Sequence, residues 1–210
     1  MPMTKFNSTL QEQRRQSLRI FVQLTAVALN FWVLANTIRA GLWMFSMVAI
    51  VETLLMIVTT LTKPKAVTTD WWGWVAALFI MVFPLTATDV LQVHTTISLV
   101  SIFIGDFLMF LAIVLELLSL AYLNTAFTQA PEARKVVARG PYRYLRHPLY
   151  TAYVIVYFGQ AIQWNEFLYW VTFVAFLIVL VIRAKAEENI LLKTFPAYGA
   201  YRKKTKWFGL

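Results

Sequence analysis

The chain contains no cysteine, which excludes a disulfide framework, a thiolate metal site and a cysteine nucleophile. Glycine is sparse, and its seven residues are so scattered that no G-x-G occurs. A Rossmann-type cofactor loop is therefore excluded on pattern. Charge is also scarce, at 14% of residues, whereas 60% are hydrophobic and 16% aromatic. A soluble domain carries roughly 25% charged and 45–50% apolar residues. A chain of 210 residues cannot bury such an apolar excess in a water-soluble core, because a domain of that size is mostly surface. The surplus must face lipid. The net charge of +9, which in a soluble protein would suggest nucleic acid, is read here as membrane topology and not as a nucleic-acid footprint.

Crossing a hydrocarbon core of about 30 Å takes about 20 apolar residues in a helix. Residues 18–38, 41–62, 71–87 and 97–123 supply four such runs, the third of them short. Residues 149–163 and 167–182 follow as a helical hairpin turned at Gln163-Trp164-Asn165-Glu166. The predicted fold is all-α: a polytopic transmembrane bundle of about six spans. The arm 149–163 is short enough to be re-entrant. Residues 1–123 form an N-terminal region of four spans, and residues 124–210 hold the hairpin and the longest polar segments.

If the N-terminus is cytoplasmic, Lys5, Arg14, Arg15 and Arg19, then Lys63 and Lys65, then Arg134, Lys135, Arg139, Arg143 and Arg146, all lie inside. So do Arg183, Lys185, Lys193, Arg202, Lys203, Lys204 and Lys206, and only Arg39 lies outside. The positive-inside rule predicts this bias, and it places both termini in the cytoplasm. The first apolar run is too long for the core of a cleavable signal peptide, and more spans follow it. Trp71, Trp72 and Trp74 are expected in an interfacial aromatic belt. Chemistry on water-soluble ligands should concentrate in 124–147 and in the tail after residue 182, both cytoplasmic.

The segment from Arg139 to Tyr150 packs arginines, a histidine and three tyrosines beside the start of a membrane helix. Pro148 suits the first turn of that helix. A helix start also offers free N–H groups and a positive dipole end, which suit a carboxylate. A plainer reading is a basic loop attracted to anionic headgroups. Farther on, Arg183 and Glu187 are four residues apart and share a helix face with Leu191. Its plainer reading is an exposed ion pair worth at most about 1 kcal/mol. Adjacent acids, Glu187 and Glu188, on an otherwise basic face suit a ligand carrying positive charge.

Gly140-x-Tyr142-x-x-x-Arg146-His147-Pro148-x-Tyr150, followed by Arg183-x-x-x-Glu187-Glu188-x-x-Leu191, resembles the motifs of the isoprenylcysteine carboxyl methyltransferase family. Phe195-x-x-Tyr198-x-x-Tyr201 is similar to that family's aromatic tail, with Pro196 where glycine is usual. The resemblance covers residues 121–206. It implies a membrane methyltransferase whose S-adenosylmethionine pocket lies under the hairpin and is closed by the tail, so that 124–210 is the catalytic region. Carried over residue by residue, it implies donor contacts at Tyr142, His147, Pro148, Leu149, Tyr150 and Glu187. Arg134, Lys135, Val136 and Val137 stand where the family has a strand-like cofactor-binding segment, and Gln129 matches a further contact. Arg183 stands where the family places a ligand of the substrate carboxylate, with Arg146 beside it on the substrate side. No metal is implied.

The expected partners are a lipophilic small molecule or a prenylated substrate, together with membrane lipids. A carboxylate acceptor is ionised at pH 7 and needs no general base. An amine acceptor, as in phospholipid N-methyltransferases, is the alternative with the same donor, and a non-enzymatic lipid-binding scaffold is another. A transporter is disfavoured, since no inverted repeat is visible. The compact length leans towards a prokaryotic plasma membrane, with the endoplasmic reticulum as the eukaryotic counterpart. Glu52, Asp106 and Glu116 fall inside spans, where acids are costly; they either line a substrate passage or bond neighbouring helices. His94 in an outer loop has no second histidine near it.

Overall fold

A computed structural model describes residues 2–39, 41, 43–68, 70–89, 98–130 and 132–208. His94 and Ile97 lie outside the described residues. The helices are α1 (Pro2–Arg39), α2 (Trp43–Leu61), α3 (Trp71–Asp89), α4 (Leu99–Leu123), α5 (Pro148–Trp164), α6 (Phe167–Thr194) and α7 (Tyr198–Lys204). Two short strands, β1 (Ala66–Val67) and β2 (Glu132–Ala133), pair antiparallel with Ala66 opposite Ala133. The expected all-α bundle therefore carries a small ribbon, which ties the α2–α3 connection to the polar segment after α4.

Each of α1 to α6 covers one of the apolar runs, and the helix ends follow local chemistry. Asp70 starts α3 by accepting the Trp72 N–H at 3.1 Å. Asn165 ends α5 in the left-handed conformation, φ 47°, its N–H bonded to Ala161 O at 2.9 Å. Helix α5 is continuous over 17 residues, about 26 Å at 1.5 Å per residue. Helix α6 runs twelve residues past the apolar stretch, to Thr194, because Ala184, Ala186, Glu187, Leu191 and Lys193 are all strong helix formers. That extension lifts Arg183 and Glu187 out of the apolar run on one rigid rod.

Among the described residues, three helical stretches are long and apolar enough to cross a membrane: Glu12–Arg39, Leu99–Ala126 and Phe167–Thr194. Shorter apolar helices cover Ser46–Leu61 and Trp71–Ile80. On α4, Phe103, Phe107, Phe110, Val114 and Leu118 are exposed at helical spacing, a stripe that only lipid suits. The opposite face packs on α5, where small residues allow close approach. A Cβ on Gly105 would fall 2.8 Å from Gly159 O, and one on Gly159 3.0 Å from Gly105 O. Helix α1 packs on α2 and α3 on α6. Trp71 and Trp72 are exposed as an interfacial belt requires, but Trp74 is buried against Val22 and Ala130. Three tryptophans within four helical residues cannot all face one side.

Candidate functional site

The first wall of the site comes from the start of α5 and the end of α6. Gly140 opens it with φ +56°, a conformation that disfavours any side chain. A short 3-10 turn over Gly140–Arg143 then buries Tyr142 and leads to His147 and Pro148. Pro148 is the first residue of α5 and is fully buried, so it shapes the turn. The N–H groups of Leu149 and Tyr150 belong to the first helical turn, which has no intrahelical acceptor for them.

Across from them, Glu187 accepts the Tyr150 hydroxyl at 2.6 Å and Arg183 Nε at 3.2 Å. Its other oxygen lies 4.0 Å from His147 Nδ1. The imidazole Nε2 is 3.2 Å from Glu188, and the ring stacks on Tyr150 at 5.3 Å between centroids. Glu188 also pairs with Arg146 at 3.1 Å and Arg202 at 3.3 Å. Glu188 is thus a tie between α5, α6 and α7, while Glu187 faces the cavity. Arg183 is 2% exposed, and its Nη1 has no hydrogen-bond partner among the described residues.

The second wall is the segment after α4. Phe127 and Thr128 lead into β2, and Arg134, Lys135, Val136 and Val137 follow it without regular structure. The strand expected at 134–137 lies instead at Glu132–Ala133, because pairing there is dictated by β1. Glu132 binds Arg19 Nε at 2.6 Å and Arg134 Nε at 2.6 Å. Arg19 also reaches Thr59 O at 2.8 Å and Thr62 O at 2.7 Å. Arg134 donates to the same carbonyls and to Thr62 Oγ1 at 2.6 Å. Two guanidiniums thus satisfy the open carbonyls at the end of α2, where the dipole favours cations.

Between the walls lies a cavity of about 110 Å³, part of it open to solvent. Gln129, Arg134, Lys135, Val136, Val137, Tyr142, Arg146, His147, Leu149, Tyr150, Arg183 and Glu187 all line it. Of the residues to which the family resemblance gives a donor or substrate contact, Pro148 alone is absent from the lining. The lining also includes Glu132, Tyr153, Tyr198, Tyr201, Phe127 and Ile80, which sequence reading did not assign to the site. The tyrosine tail was visible as a motif, but nothing local marks Glu132 or Ile80. The tail closes one side: Tyr201 donates to Tyr142 O at 2.7 Å, and Lys206 pairs with the chain at Tyr144 and Arg146. Burial keeps the Tyr142 and Tyr198 phenols neutral by pushing them well above the usual range, and pushes Tyr201 up to about 12.

The acids inside the bundle separate into two environments. Glu52 accepts the Tyr153 hydroxyl at 2.7 Å, and Glu116 is buried on α4. Asp106 instead takes Gln163 Nε2 at 3.0 Å, near the far end of α5.

Several features of this cavity fit S-adenosylmethionine. Glu187 offers a carboxylate for an ammonium, the α5 start offers N–H groups for a carboxylate, and Tyr142, His147 and Tyr150 offer ring faces. No curated protein matches the chain. The narrower likeness to isoprenylcysteine carboxyl methyltransferases rests on the motifs alone. Residues 100–198, which contain α4, the loop wall, α5 and α6, match the family model of phospholipid methyltransferases, a membrane methyltransferase family acting on lipid-like substrates.

Proposed function

We propose that the protein is a membrane-embedded methyltransferase that uses S-adenosylmethionine to methylate the carboxylate of a lipidated or lipid-like acceptor at the cytoplasmic face. The observation that carries the acceptor class is Arg183. It is buried, it lines the cavity, and one of its guanidinium nitrogens is unpaired. A buried unpaired donor is costly, and an acceptor carboxylate arriving from the bilayer would satisfy it. The cavity's ionic lining agrees in sign, with Arg134, Lys135, Arg146 and Arg183 against Glu132 and Glu187.

When bound, the donor supplies a methyl group made electrophilic by its sulfonium. Glu187, with His147 behind it, takes the ammonium. The Leu149 and Tyr150 amides take the donor carboxylate. Arg183 orients the acceptor oxygen, and no residue has to remove a proton from an ionised carboxylate. Phe127, Leu149 and Ile80 line the apolar side of the cavity, where they exclude water and admit the lipid tail. In this reading 124–210 is the catalytic region, 1–123 anchors it, and the basic segments keep both termini in the cytoplasm.

A second reading keeps the donor and changes the acceptor to an amine. It is favoured by the family matched over 100–198 and by Tyr153, which lines the cavity and donates to the Glu52 carboxylate. A protonated amine needs a proton acceptor, and this pair supplies one. The test is methyl transfer in lipid nanodiscs to an S-farnesyl cysteine derivative and to a phospholipid bearing a primary amine. Label released from the first by mild alkali is a methyl ester and supports the carboxylate reading. Alkali-stable label confined to the second would replace it with the amine reading.

A further inference from the structure

The N-terminal helices lie outside the matched residues, yet two side chains of α1 reach the loop wall. Gln23, only 1% exposed, donates from Nε2 to Thr128 Oγ1 at 2.8 Å and to Glu132 Oε1 at 3.3 Å. Arg19, one helical turn earlier, holds the other oxygen of Glu132. Thr128 in turn folds its own loop, because its hydroxyl accepts the Ala130 N–H at 3.2 Å. Its carbonyl stands 3.4 Å from Arg183 Nη2. A continuous chain of polar contacts therefore runs from α1, through Thr128, to the end of α6.

We propose that Arg19 and Gln23 are positioning residues for the cavity. They clamp the loop at Thr128 and Glu132, so that the loop stands as a rigid wall and its Thr128 carbonyl holds the second nitrogen of Arg183. The loop needs such a clamp. Residues 134–138 have no regular structure, and the two-residue ribbon is too short to hold them alone. Arg19 carries most of the electrostatic load and Gln23 sets the direction of Thr128. The effect on the donor rests on the reading of the cavity given above; the clamp itself does not.

Arg19 is a poor probe, since its removal strands the charge of a buried carboxylate. Gln23→Met keeps the side-chain volume and removes both hydrogen bonds. The experiment is hydrogen–deuterium exchange over residues 127–137 of the full chain in nanodiscs, for wild type, Gln23→Met, Thr128→Val and the double variant. S-adenosylmethionine calorimetry and melting temperature are measured on the same samples. The expected result is exchange at least about fivefold faster at 128–133 in Gln23→Met, with α4 and α5 unchanged. Donor affinity should fall about fivefold at an unchanged melting temperature, with a double variant no worse than the worse single one. Unchanged loop exchange in Gln23→Met overturns the proposal. So does faster exchange throughout the protein with a matching fall in melting temperature, which is ordinary destabilisation. If wild type binds no donor, the methyltransferase reading falls, while loop exchange still decides the clamp.

Discussion

The two walls of the cavity are built by different means. The α5–α6 wall presents its side chains from regular helices, so Arg183 and Glu187 share a face by periodicity alone. The 127–137 wall has almost no regular structure and is held by one buried ion pair and several hydrogen bonds to helices far away in the chain, Arg19 being 113 residues from Glu132. On the first wall Glu187 keeps an oxygen for a ligand. On the second the acid is wholly engaged: Glu132 is 0% exposed at its side chain and contacts two arginines. Two glutamates lining one cavity thus differ in what they hold: Glu187 keeps one oxygen outside any hydrogen bond among the described residues, and Glu132 is wholly engaged in the wall.

That contrast is broken or sharpened first at Glu132. Glu132→Gln leaves Arg19 and Arg134 without their counter-ion and should cost about 3–5 kcal/mol, as loss of one partner of a buried pair does. Thermal unfolding in detergent would show it, and an unchanged melting point would dissolve the distinction between the walls. Glu187→Gln should act chiefly on the donor. It retains an acceptor for Tyr150 and Arg183 Nε but removes the charge facing the buried Arg183, so some stability is lost as well. Donor affinity should fall about 10- to 100-fold, the worth of a charge-assisted bond of about 1.5–3 kcal/mol. Calorimetry checks this, and equal donor affinity would remove Glu187 from the site.

Gly140 probes the hinge between the walls. Gly140→Ala meets both a positive φ and the Tyr122 ring at 2.4 Å. The ring is exposed enough to swing aside, so the backbone penalty of about 1–2 kcal/mol remains. A melting temperature equal to wild type would show that the turn has an alternative conformation. The smallest effect lies in the tail. Burial raises Tyr201 to about 12 from an ordinary value near 10. Its contribution is therefore fully present below pH 10 and is lost as pH rises through the folded value. The stability difference between wild type and Tyr201→Phe should be flat up to pH 10 and shrink between 10 and 12. A difference that stays flat through pH 12 would mean the phenol is solvated, its folded and unfolded values then being equal.

Much of the helix wall was readable in advance. The spacing of Arg183, Glu187 and Leu191, and the crowding of Tyr142, His147 and Tyr150 before a helix, are local patterns, and the fold preserves local patterns. The loop wall was only half readable. Gln129, Arg134, Lys135, Val136 and Val137 were placed in the site, but Arg134 binds the end of α2 as well as lining the cavity. Glu132, which organises the segment, went unnoticed. The burial of Trp74 and the Tyr153–Glu52 bond were likewise beyond reach, since each depends on which helix stands opposite.

Helices α1 to α6, their lipid-facing stripes and the polar groups that periodicity gathers on one face are legible in the residues alone. These follow from hydrophobic spacing and helix geometry over a few residues. Which charges are paired emerges only when the helices pack. An ion pair between Arg19 and Glu132 leaves no local trace, because its energy depends on two distant side chains leaving water together. That pairing, and not composition, separates the carboxylate available to a ligand from the one locked into the wall.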